Sequence, residues 1–270
     1  MRPYRYFKTL AKLSLAGKYF KCIIAFLFVS LLPSLILLIP QKFTSLTINQ
    51  FLWILIPAYF ILIPCFRMGA IGITFDAIEK KEISLGNLFD GFKYFFKLIP
   101  MMIAKFLSLA PLALTVYIFY KRNEYTLVKL FADYINNPSE NIDKLLNISD
   151  KDASILLTFE FFFIASVIFA ILVSCYLLFT EYIIFNEKVS GLKAIGKSIK
   201  LMKGHILYYI GFELSFILWH LASSFTYGLS TLILNPYKEA TFIIFYNYLR
   251  FSNGEDISTK PEEVIKEEQI

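Results

Sequence analysis

Long apolar runs alternate along the chain with shorter basic or polar stretches. Six runs stand out: Lys21–Ile39, Leu46–Phe66, Leu98–Phe119, Ile155–Phe179, Ile206–Thr226 and Leu229–Leu249. Each approaches or exceeds the roughly 20 residues that a helix needs to cross about 30 Å of hydrocarbon. The pattern predicts an all-α polytopic membrane protein with about six transmembrane helices. The sixth run is the weakest, because Asn235, Pro236, Lys238 and Glu239 fall in its middle, and a broken or shallow helix is the alternative there. Proline also falls within or beside the other runs, at Pro33, Pro57, Pro64 and Pro111. Each removes one backbone hydrogen bond and kinks its helix, or serves as a hinge.

A second periodicity precedes three of the runs. Between Val189 and His205, apolar Val189, Leu192, Ile195, Ile199 and Met202 fall on one helical face, and Lys193, Lys197 and Lys200 fill another. That spacing is a basic amphipathic helix, suited to lying in the membrane interface against anionic lipid headgroups. Leu85, Leu88, Phe92, Phe95 and Phe96 repeat the logic before the third run, and residues 4–21 do so more crudely before the first. The chain therefore reads as three hairpin units, each preceded by a cytoplasmic interfacial helix. Residues 1–249 form one membrane domain and 250–270 an acidic cytoplasmic tail.

Basic residues set the orientation. Arg2, Arg5, Lys8, Lys12, Lys18 and Lys21 crowd the N-terminus. Arg67, Lys80, Lys81, Lys93 and Lys97 lie between runs two and three, and Lys188, Lys193, Lys197, Lys200 and Lys203 between runs four and five. The first outer connection has only Lys42, and the 120–154 loop is sparser in basic residues. Both termini are expected in the cytoplasm.

Composition agrees: the chain is 57% hydrophobic and 18% charged, against about half and a quarter for soluble domains. The net charge of +6 is spread around run ends and makes no stripe for nucleic acid. Cys22, Cys65 and Cys175 sit inside apolar runs and read as small buried hydrophobes. No phosphate-binding glycine loop, H-E-x-x-H or G-x-S-x-G motif occurs. The sequence points to no enzyme, no cofactor and no metal.

Ionisable residues inside the runs are the candidate chemistry, because each is costly in hydrocarbon. Lys105 and Glu213 lie equally far into their runs, at about 10 Å depth for 1.5 Å rise per residue. Glu160 and His220 share a depth of about 8 Å from the outer side. Glu213 and His220 fall on one face of a continuous helix. These four residues form two candidate intramembrane pairs, read either as a polar seam for protons or ions or as structural pairs.

From residue 194 to 249 the sequence resembles a known family. The features are Ser198-x-x-Leu201-Met202-Lys203-Gly204-His205, Leu214-Ser215-Phe216 with Trp219, Pro236-Tyr237 with Thr241, and Phe245-Tyr246. Upstream, Leu88-Phe89-Asp90-Gly91-Phe92-Lys93 fits an L-F-x-G-F-K pattern. Leu15-Ala16-Gly17-Lys18-Tyr19 fits L-x-G-N-W with its last two positions replaced. The resemblance is to the bacterial multi-pass membrane proteins of the domain-of-unknown-function 975 family. It implies a bacterial cell-membrane protein and no particular activity. The expected roles are transport or handling of an amphiphile or peptide or, alternatively, a non-catalytic part in membrane assembly or envelope protection.

Overall fold

A computed structural model describes residues 1–42, 58–121, 150–226 and 228–254. The predicted first outer loop beyond residue 42, most of the predicted second run, most of the 120–154 loop and nearly all of the tail lie outside the described residues. Every regular element described is helical. In chain order these are α1 (Tyr4–Ser14), α2 (Tyr19–Lys42), a π-helical turn (Ala58–Leu62) leading into α3 (Ile63–Ile78), and a 3-10 helix (Leu85–Tyr94) leading into α4 (Phe95–Ser108). They continue with α5 (Asp150–Tyr176), α6 (Thr180–Glu187), α7 (Gly191–Met202), α8 (Ile206–Leu214), α9 (Ile217–Phe225) and α10 (Leu229–Ser252).

Four helical stretches are long and apolar enough to cross a membrane: Tyr59–Ile78, Leu85–Lys121, Leu157–Glu187 and Ile206–Phe225. The helices Tyr4–Ser14 and Tyr19–Pro33, whose axes turn by 101°, are apolar enough only when taken together, as a broken span or a re-entrant loop. Protein covers only 11–17% of the last three of the four, and side chains such as Phe106, Phe161, Leu218 and Phe225 stand open. Apolar surface on this scale suits hydrocarbon rather than water. Tyr59–Ile78 is the exception, with 67% covered.

The second and sixth runs take a form that hydropathy alone did not give. The second run does not stop at Phe66; its helix continues through Arg67 to Ile78, because Met68 to Phe75 are apolar or small and buried by neighbouring helices. The sixth segment is a helix, unbroken at Pro236, yet it is not among the apolar candidates. Protein surrounds it: Ala240 to Asn247 are all buried, so its charges meet side chains rather than lipid.

The chain divides into two compact units, Met1–Met101 with Leu178–Ile270, and Met102–Leu177. In the first, α3 is the axle, touched by α2, α6, α10 and the 3-10 helix. The contact with the 3-10 helix is backbone against backbone. A Cβ on Gly69 would lie 2.1 Å from the Leu88 carbonyl oxygen, and one on Gly91 would lie 1.8 Å from that of Cys65. Helix α1 buries Phe7, Leu10, Ala11 and Ser14, the 3–4 spacing of one helical face, and packs on α10. There the Phe7 ring meets those of Phe212, Phe245 and Tyr248 at 5.6, 5.4 and 5.3 Å. In the second unit, Thr115 and Ser166 hydroxyls meet at 3.2 Å, and the Phe119 and Phe159 rings at 5.2 Å.

The pre-span segments are helical, but they are not alike. Helices α1 and α7 each end in a turn before the next helix, with Gly17 at φ +74° and Gly204 at φ +81°, a conformation glycine adopts without steric cost. The 3-10 helix instead runs into α4 with no turn, so the segment before the third run departs from the repeat. Helix α7 has three faces. Gly191, Ala194, Ser198, Leu201 and Met202 face protein; Leu192 and Ile199 stand out, with Ile195 half-buried beside them; Lys193, Lys197 and Lys200 occupy the remaining side. The three cysteines are buried, and none is in a disulfide.

Candidate functional site

The middle of the first unit holds three charges. Arg67 lies on α3, Glu181 in the first turn of α6, and Glu239 near the middle of α10. Arg67 Nε donates to Glu181 Oε2 at 2.9 Å, while Arg67 Nη2 stands 3.9 Å from Glu239 Oε2. The carboxylates are covered, with side chains 8% and 10% exposed, but the arginine side chain is 46% exposed. Nearly half of the Arg67 side chain is therefore uncovered, on an otherwise buried helix. The Tyr182 hydroxyl interacts with the Glu239 carboxylate, and Glu239 Oε1 is covered with no hydrogen-bond partner. Beneath lies an aromatic floor: Tyr182 packs on Phe179, Phe75 and Tyr246 at 5.9, 6.0 and 5.8 Å.

Local structure places each group. Phe179 ends the break between α5 and α6, and its backbone N–H donates to Ser198 Oγ of α7 at 3.2 Å. This anchors the start of α6 and sets Glu181 at the axle. Helix α10 carries Lys238 and Glu239 side by side, roughly 100° apart around the helix. They serve different partners: Glu239 faces Arg67, and Lys238 Nζ reaches Glu213 Oε2 at 2.7 Å. The Tyr209 hydroxyl donates to Glu213 Oε1 at 2.9 Å. Pro236 leaves one turn of α10 short of a donor, and the Tyr19 hydroxyl donates to the Ile233 carbonyl in that turn.

The four residues expected to pair from the sequence are distributed as follows. Glu213 and His220 belong to the first unit, Lys105 and Glu160 to the second. Glu213 is held by Lys238 and Tyr209, while Glu160 and His220 are exposed. The single face assumed for Glu213 and His220 is interrupted, because the helix breaks at Ser215 and Phe216 between α8 and α9. Lys8 of α1 fills that break, donating to the Ser215 carbonyl at 2.9 Å and lying 4.0 Å from the Phe216 ring centre. His205, just before α8, has its pKa lowered by burial and, secondarily, by the nearby amino terminus.

Sequence reasoning missed the Arg67, Glu181 and Glu239 cluster. Arg67 and Glu181 each follow an apolar run and read as its cytoplasmic end. The overlooked signal was the apolar stretch on the far side of each charge, Met68–Phe75 and Tyr182–Phe185. Among the described residues, no group of three or more His, Cys, Asp and Glu side chains is placed to hold a metal ion.

The described residues define an all-helical protein with several helices suited to a bilayer, whose first unit is built around one protein-sheathed helix. The chain belongs to the family described as "Protein of unknown function (DUF975)", whose model matches residues 1–253. No curated protein and no solved structure matches it. The resemblance-bearing residues have structural work here. Gly91 allows the contact with α3, Ser198 caps the entry to α6, Gly204 makes the turn before α8, and Phe245 and Tyr246 form the core.

Proposed function

We propose that this is a bacterial cell-membrane protein, with both termini cytoplasmic, that handles an amphiphile without catalysing a reaction on it. The observation that carries this reading is Arg67: a side chain held between covered carboxylates yet nearly half exposed, in a unit that also exposes many large apolar side chains. A polar head with a hydrogen-bond acceptor fits the exposed part of Arg67, and an acyl tail fits the apolar helices around it. The two carboxylates disfavour a free anion, so an uncharged or zwitterionic head is the best match. Six membrane crossings in three hairpins, with α10 as the protein-sheathed sixth, belong to this proposal. So does the seating of α7 at the cytoplasmic interface, with Lys193, Lys197 and Lys200 towards anionic headgroups and Leu192, Ile195 and Ile199 towards acyl chains.

The test uses the full chain in detergent with lysophosphatidylcholine as probe, read by native mass spectrometry. Arg67→Lys keeps the charge but loses the planar donor fork. Retention of the probe is expected to fall several-fold, with the unfolding temperature changed by no more than a few degrees. Equal retention by the two proteins overturns the reading.

A further inference from the structure

We propose that Glu239 is a proton-binding site: its carboxyl group takes up and releases one proton inside the first unit while Glu181 remains the fixed counter-ion of Arg67. This inference stands on charge and geometry and does not depend on the amphiphile reading.

The groups that face Glu239 are Arg67 from α3, Glu181 and Tyr182 from α6, and Lys238 on its own helix. Lys238 is engaged by Glu213 of α8 at 2.7 Å, and that pair is neutral by itself. The remaining cluster has one guanidinium against two carboxylates. With both ionised it carries a net negative charge on covered atoms, an arrangement that costs several kcal/mol in protein interiors. A single proton removes that charge.

Geometry says which carboxylate takes it. Glu181 has a direct 2.9 Å bond to Arg67 Nε. Glu239 stands at 3.9 Å, beyond hydrogen-bond length, and its Oε1 is covered without a partner. An ionised oxygen in that position has lost water without gaining a hydrogen bond, and the attraction of Arg67 is already shared with Glu181, whereas the protonated group carries no charge. The Tyr182 hydroxyl supplies Glu239 with a neutral partner. Proton release would create a second full charge beside Arg67 and draw the guanidinium towards α10. Proton occupancy of Glu239 thereby sets how far Arg67 is presented outward.

Infrared spectroscopy of the full chain in lipid vesicles tests this directly. The wild type is expected to show a protonated-carboxyl C=O band that shifts in heavy water and fades as pH rises. The band should be lost in Glu239→Gln and weakened in Glu181→Gln, where Glu239 becomes the only carboxylate facing Arg67. No such band in the wild type, a band that survives Glu239→Gln, or its loss only in Glu181→Gln overturns the proposal. Should Glu239→Gln fail to accumulate, dicyclohexylcarbodiimide mapping of the wild type decides. The acid gives its proton to a carbodiimide nitrogen, its oxygen adds to the central carbon, and the adduct rearranges to a stable N-acylurea. Modification at Glu239 that falls several-fold from acidic to alkaline pH supports the proton site. An unmodified Glu239 in the folded protein that becomes modified after unfolding in acid overturns it.

Discussion

Gly69 of α3 and Gly91 of the 3-10 helix stand back to back: a Cβ on Gly91 would sit 2.7 Å from the Gly69 backbone nitrogen. The neighbouring atoms are backbone, which cannot swing aside as a side-chain tip can. Gly91→Ala is therefore expected to destabilise the protein by at least about 1–3 kcal/mol, the usual cost of overpacking. Gly196 is the control. It lies within α7 with nothing within 4 Å of its would-be Cβ, so Gly196→Ala should gain about 0.5–1 kcal/mol from helix propensity and reduced unfolded-state freedom. Thermal unfolding of the two variants in detergent checks both signs.

The Glu213 carboxylate belongs to Lys238, and a double-mutant cycle should find their coupling. Both side chains are largely covered, 31% and 22% exposed, and the expected coupling is about 0.5–1 kcal/mol. Glu213→Gln alone should lower the unfolding temperature, and adding Lys238→Met should recover part of the loss. Recovery by Lys105→Met instead, with none by Lys238→Met, would restore the polar seam read from run depths.

His205 gives an acid-side pH dependence. Its pKa is lowered in the fold from an ordinary value near 6.5, so the folded state binds fewer protons than the unfolded state. Its contribution to stability is complete above 6.5 and declines as pH falls from there through the folded value. His205→Gln should flatten the fall in unfolding temperature between neutral and mildly acidic pH, while changing little at alkaline pH. An unaltered slope in the variant would remove His205 as a source of that dependence.

Helices that meet solvent or lipid along one side were legible in the sequence. The Phe7, Leu10, Ala11 and Ser14 face of α1 and the lysine face of α7 follow from spacing alone, as does the burial of the three cysteines. The charge cluster was not legible, because hydropathy treats a charge as the end of a span. That rule assumes a helix surrounded by lipid. Arg67 lies instead on a helix surrounded by other helices, two of which bring a glutamate to it. The same assumption made Lys238 and Glu239 count against α10, when each has a partner of opposite charge within the fold. Depth along a run says nothing about the direction a side chain takes around its helix, and so it could not point to Lys238 as the partner of Glu213.

The sheathing of α3 has a consequence for how the chain is made. Arg67 precedes its tight partner Glu181 by 114 positions. At synthesis rates of about 5–20 residues per second, Glu181 is made roughly 6–23 s after Arg67, and Glu239 later still. Throughout that interval Arg67 on α3 lacks the two carboxylates that later face it. The helix is then a poor tenant of lipid, and its final seating must await the ribosome's completion of α6 and α10. Assembly of the first unit is thus a late event, closed by α6 and α10.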